Sequence, residues 1–184
     1  MAPSKKNSLH EHITAVKKQE RCFENAFQSV SRMILDQQIE KVIVNGKSTF
    51  DYRIFREGSK HIVGMYDEIN SFVSFVKDAS QGGSSKEMAF VLVGEPGNGK
   101  TFLVEYLCGM YRKFLSEPKN RRYTFRFKGL KQLGSYGNID MVESQTYEDP
   151  MVLAMNLMDT PEESRKHLTR RYRLPDKTAE LWWE

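Results

Sequence analysis

The segment that constrains this chain most is Met88-Ala-Phe-Val-Leu-Val93, followed without a gap by Gly94-Glu-Pro-Gly-Asn-Gly-Lys-Thr101. An apolar run this short falls far below the roughly 20 residues that a membrane helix needs. It is also too continuous for an alternating surface strand, and it reads as a central parallel strand covered on both faces. The residues behind it match G-x-x-x-x-G-K-[ST] at every specified position. Each residue type has a physical task there. Glycines let the backbone enter φ > 0 regions and turn its N–H groups inward as a nest for anionic oxygens. The loop then feeds a helix, Phe102 to Leu115, with Leu103, Leu107, Tyr111 and Phe114 on one apolar stripe. A helix start offers unpaired N–H groups and the positive end of a dipole, both favourable to an anion. Lys100 can bridge β- and γ-phosphates as a point charge, and the Thr101 hydroxyl can ligate Mg²⁺. At ordinary glycine frequency a chance match has odds on the order of one in a hundred or less. The strand and helix around the motif lower those odds further. A nucleotide cradle is the reading.

Other segments supply the context. Between His10 and Asp36, Ile13, Val16, Phe23, Phe27, Val30 and Ile34 are spaced for one face of a long amphipathic helix. Gln38 to Val44 predicts a short strand closed by the Asn45-Gly46 turn. A second helix is predicted from Asp67 to Ala79, on the spacing of Ile69, Val73 and Val76 with Phe72 and Phe75 beside them. It stops at the loop Ser80-Gln-Gly-Gly-Ser-Ser85. After the phosphate-loop helix, Tyr123 to Leu130 predicts another strand, which completes a βαβ unit. Asp149-Pro150 is a helix cap followed by a good first helical residue, so Met151 to Met158 reads as a helix.

Composition excludes several classes. With 39% hydrophobic and 28% charged residues the chain matches an ordinary globular protein, not a disordered one. No apolar h-region follows the polar N-terminus, and the absence of a secretory signal or membrane span points to a cytoplasmic setting. Cys22 and Cys108 are too few for a disulfide framework, and Cys108, behind the phosphate loop, is expected as a buried thiol. His10 and His12 fall on different helix faces while His61 and His167 stand alone, so no metal-ligating histidine cluster is expected. The net charge is +4 and unevenly placed: Lys119, Arg121, Arg122, Arg126, Lys128 and Lys131 occur with no acid among them. Tyr123, Phe125 and Phe127 could serve there as stacking platforms for a polyanion. The period-2 alternation favours the other reading, a half-buried strand with wet basic residues, so a nucleic-acid partner is not expected.

Catalysis on a nucleotide also needs an acid that orders metal and nucleophile, normally at the end of an apolar strand. Asp140 follows no buried strand, and Asp159 follows the predicted helix, with Thr160-Pro161 where a second carboxylate would stand. The signatures H-R-D, D-F-G and V-A-I-K are absent. The cradle lacks its catalytic half, and Trp182-Trp183 at the terminus reads as the cut edge of a larger protein.

His61-Ile-Val-Gly-Met-Tyr-Asp-Glu-Ile-Asn70 resembles the segment that precedes the Walker A loop in AAA+ ATPases. With Phe23 to Leu35, and with Val76 to Gly82 leading into the loop, the chain from about residue 20 to about 160 resembles the N-terminal AAA domain of PrkA-type bacterial serine protein kinases. The resemblance implies an α/β, AAA+-like P-loop NTPase fold, with a parallel sheet and flanking helices. The domain is expected to be incomplete, residues 1–50 forming an N-terminal helical segment and residues 51–184 an ATP-binding domain cut before Walker B. ATP and Mg²⁺ are the implied cofactors. Ile62, Val63 and Gly64 would hold the adenine, and Gly94, Gly97, Gly99, Lys100 and Thr101 the phosphates and metal. Glu95, Pro96, Asn98 and Phe102 complete the cofactor-binding set, with Thr101 as the metal ligand. The implied activity is phosphorylation of protein serine or threonine, with the protein substrate held by a C-terminal region outside this sequence and homo-oligomers possible. Two alternatives stay open: an AAA+ ATPase working as a remodelling or protease-associated factor, and a nucleotide-sensing module without catalysis.

Overall fold

The computed structural model describes residues 8–133, 138, 140–157 and 163. They fall into two compact units, Glu24–Glu117 and the discontinuous pair Met1–Phe23 with Pro118–Glu184. The architecture is mixed helix and strand. Among the described residues no helix is long and apolar enough to cross a membrane.

The single helix expected from His10 to Asp36 is two helices, α1 (Leu9–Lys17) and α2 (Ala26–Leu35). Local chemistry overrides the apolar period. Each helix starts on a reciprocal capping box, Ser8 with Glu11 and Asn25 with Gln28, and Gln19 takes a left-handed backbone (φ 59°) between them. Such boxes satisfy helix-start N–H groups that a continuous helix would have paired internally.

In the Glu24–Glu117 unit, β1 (Ile39–Val44) and β2 (Lys47–Tyr52) form an antiparallel hairpin. Asn45 (φ 50°) and Gly46 (φ 76°) make its two-residue turn, both left-handed as a type I′ turn requires. Then come α3 (Tyr66–Ser80) and α4 (Lys100–Ser116). Met33 and Ile34 of α2, Ile69 and Val73 of α3, and Leu103 of α4 share one core with Tyr52, Ile54, Phe55 and Ile62. Two polar ties hold α4 to α2. The Tyr111 hydroxyl lies 3.2 Å from Ser29 Oγ, and the Arg32 guanidinium, paired with Glu24 at 2.7 Å, sits 4.8 Å over the Phe114 ring.

Met88–Val93 departs from expectation. It joins no sheet, and both sheets among the described residues are antiparallel pairs. Phe90 packs on Phe72 and Phe75 of α3 with ring centroids 5.4 Å apart in each pair, and Leu92 packs on the core. Val91 and Val93 face outward, 71% and 89% exposed. One face is covered and the other open, and no parallel pairing is present among the described residues.

In the other unit, the strand expected over Tyr123 to Leu130 is only β3 (Arg126–Lys128), paired antiparallel with β4 (Met141–Glu143). Phe127 is buried, Phe125 meets it edge-on at 5.5 Å, and Arg126 and Lys128 stay exposed. Phe127 thus turns inward, while Tyr123 and Phe125 are half-buried. The last described helix, α5 (Pro150–Leu157), starts where Asp149 accepts from the Met151 N–H at 2.8 Å. The same carboxylate oxygen is 3.2 Å from buried His12 Nε2, while Arg21 reaches His12 Nδ1 at 3.0 Å. Because Arg21 can only donate, His12 carries its proton on Nε2 and donates to Asp149. Arg21 also lies 4.2 Å over the Tyr123 ring. Asp159, His167, Trp182 and Trp183 lie outside the described residues.

Candidate nucleotide site

The loop Gly94–Gly99 leads from Met88–Val93 into α4, and its geometry follows from its glycines. Gly97 (φ 87°) and Gly99 (φ 74°) are left-handed, a region that costs other L-residues roughly 1–2 kcal/mol. Between them Asn98 N–H makes a turn back to the Glu95 carbonyl at 3.4 Å. Gly99 is also the N-cap of α4, and having no side chain it gives the helix no cap acceptor. The first bond into the helix is Leu103 N–H to the Gly99 carbonyl at 2.9 Å, so the N–H groups of Lys100, Thr101 and Phe102 precede the helical ladder. Glu95, Pro96, Gly97, Asn98, Thr101 and Phe102 are all exposed.

Lys100 folds back over the loop. Its ammonium donates to the Gly94 carbonyl at 2.6 Å and the Glu95 carbonyl at 2.7 Å. The cation is thereby fixed at the mouth of the loop, at the start of α4. An anion arriving there would meet a localised positive charge, helix-start N–H groups and the positive end of a 17-residue helix.

Ile62, Val63 and Gly64 belong to the same unit as the loop. Ile62 is 2% exposed and anchors the segment in the core, its N–H bonded to the Phe55 carbonyl at 2.9 Å. Val63 is 79% exposed. Gly64 (φ 69°) and Met65 (φ 53°) are both left-handed and turn the chain into α3. The Met65 sulfur comes within 3.8 Å of where a Gly99 Cβ would stand. Met65, which follows Gly64, is therefore a neighbour of Gly99 at the end of the loop. Tyr106 of α4 adds a second connection: its hydroxyl lies 2.7 Å from the Ile54 carbonyl and 2.9 Å from that of Glu57. Burial, and then the Glu57 charge, push the Tyr106 hydroxyl above its ordinary pKa and keep it a donor.

Sequence reasoning passed over Arg56, Asp51 and Tyr106. None belongs to a motif, and Arg56 sits in Arg53-Ile-Phe-Arg-Glu57, which looks like an ordinary charged turn. Cys108, expected buried, is exposed on α4, because the apolar stripe of that helix passes through Leu107 and Tyr111 instead. Asp140 is exposed beside β4, with its carbonyl accepting from the Leu130 N–H at 3.3 Å. Among the described residues no three His, Cys, Asp or Glu side chains gather to hold a metal ion.

No curated protein and no solved structure matches the chain. A family model does: the PrkA AAA domain, over residues 7–179 of the 184. That span takes in Ile62–Gly64, the whole Gly94–Thr101 loop and all of α4. The chain belongs to the PrkA AAA domain family.

Proposed function

We propose that this chain is the Mg²⁺–ATP-binding part of a PrkA-type serine/threonine protein kinase. The observation that carries the reading is the loop itself: two left-handed glycines lead into an α4 start without a side-chain cap, and a lysine ammonium stands at its mouth. Those residues fit a nucleoside triphosphate. Gly97, Gly99 and the first N–H groups of α4 would cradle the phosphate oxygens, and Lys100 would exchange its two loop carbonyls for β- and γ-phosphate oxygens. The Thr101 hydroxyl would take one position on Mg²⁺, whose chemistry is to neutralise charge on the phosphates. The exposed Val63, between Ile62 and Gly64, would meet the adenine. The P-loop parallel sheet of the AAA fold belongs to the same proposal, with Met88–Val93 as one of its strands.

Isothermal titration of the 184-residue chain with ATP tests this, with and without Mg²⁺. Saturable one-to-one binding that weakens without the metal is expected, and weakens less in Thr101→Ala. Release of labelled phosphate and its transfer to a protein acceptor, followed in parallel, separate a kinase from a mechanical ATPase. A chain that shows no saturable ATP binding sinks the proposal.

A further inference from the structure

Arg56 stands in a set of contacts that no sequence motif marks. Its Nε donates to Asp51 Oδ1 at 2.7 Å, and that ion pair is about four-fifths buried on both sides. One terminal nitrogen, Nη1, donates to the Ile62 carbonyl and, at 3.1 Å, to the Gly64 carbonyl. The guanidinium also lies 4.5 Å from the centroid of the Tyr66 ring, at the start of α3. One side chain thus holds the carbonyls on both sides of Val63. With those two oxygens turned to Arg56, the Val63 peptide groups and its exposed side chain are what the segment has left to present. The grip also opposes a local strain, since Met65, next in sequence, holds a left-handed backbone that a non-glycine residue disfavours.

Asp51 comes from β2 and Arg56 from the turn that follows it, so the hairpin reaches the base end of the site through this pair. Tyr106 ties the same turn to α4, the helix that carries Lys100. We propose that Arg56, oriented by Asp51, is the positioning residue of the base-binding end: it shapes Ile62–Gly64 to take a purine and leaves the phosphate end untouched. This rests on the nucleotide reading above. A planar, forked guanidinium suits the task because it serves a carboxylate and two carbonyls at once, which a lysine ammonium does with less directional control.

The test compares ATP with inorganic tripolyphosphate, which has the phosphates and no base, both as Mg²⁺ complexes titrated into the full chain. In Arg56→Gln the ATP affinity is expected to fall about tenfold, the size of one charge-assisted hydrogen bond, while the tripolyphosphate affinity stays within about twofold. Arg56→Lys keeps the cation over Tyr66, and Asp51→Asn keeps Arg56 without its anchor. Each should show a smaller loss of the same base-specific kind, with faster amide exchange over residues 62–65. Thermal melts identify any variant that unfolds, and the remaining two then carry the comparison. Equal losses for both ligands in folded variants overturn the positioning role, as does an unchanged ATP affinity in all three. Wild-type chain that binds tripolyphosphate no more weakly than ATP also overturns it while sparing the phosphate loop. Wild-type chain that binds neither ligand overturns the nucleotide reading itself.

Discussion

Lys100 makes two bonds to the carbonyls of its own loop, and a triphosphate has to displace both. The net gain from the new charge-assisted bonds is therefore smaller than their gross strength. Lys100→Ala should weaken ATP binding on the order of 10-fold to 100-fold, with the lower figure favoured by that exchange. Titration with a fluorescent ATP analogue reads the loss, and circular dichroism should show the fold intact. Gly99 answers to a different force. A methyl there meets only ordinary contact with the Met65 sulfur at 3.8 Å, so sterics do not forbid it, but φ of 74° does disfavour it. Gly99→Ala should lower stability by roughly 1–2 kcal/mol, measured by denaturant unfolding. His12 illustrates a third kind of dependence. His12→Leu would strip a buried donor from Asp149 and an acceptor from Arg21 and should cost about 1–3 kcal/mol by the same measurement.

At the level of elements, α3 ends on a small device. The Asp78 carboxylate accepts from the Ser85 N–H at 3.0 Å, and the Gly83 N–H bonds the Asp78 carbonyl at 2.9 Å. Hydrogen bonds from Ser85, through its side chain and then its backbone, hold the Asp78 carboxyl below its ordinary value of 3.8. A carboxyl depressed in the folded state stabilises the fold above its unfolded pKa, and that contribution is lost as pH falls through the folded value. Asp78→Asn should therefore lower stability at neutral pH, converge with the parent chain at the acid end and so flatten the acid side of the profile, as unfolding midpoints across a pH series will show. Gly83 has its own constraint, since a Cβ there would run into the Asp78 carboxylate. The elements also show what sequence could convey. Asn45-Gly46 announced its turn, Ile69, Val73 and Val76 announced α3, and Asp149 announced the start of α5, because each signal is local chemistry. The break at Gln19 was also local, but the capping boxes at Ser8 and Asn25 were outweighed by an apolar period that continued across them. The status of Met88–Val93 was not legible, because strand pairing depends on partners that the segment itself does not encode. In the site, the loop glycines and Lys100 declared themselves by spacing, whereas Arg56 and Tyr106 act through backbone carbonyls, which leave no pattern in a sequence.

On the scale of the whole molecule, the loop, Ile62–Gly64 and the Arg56 turn all lie in the Glu24–Glu117 unit. Mg²⁺–ATP should slow amide exchange over residues 62–65 and 97–103 and leave Phe127 and Val142, a paired position of β3 and β4, unchanged. Hydrogen–deuterium exchange on the full chain resolves the two regions, and protection confined to β3 and β4 would contradict the placement of the site. The exposed thiol of Cys108 gives the same unit a chemical address. It stands eight residues along α4 from Lys100, about 12 Å by helical rise, while Cys22 is half-buried and slower to modify. An environment-sensitive dye on Cys108 would ride a rigid rod whose other end is the phosphate loop, and would turn nucleotide arrival into an optical signal.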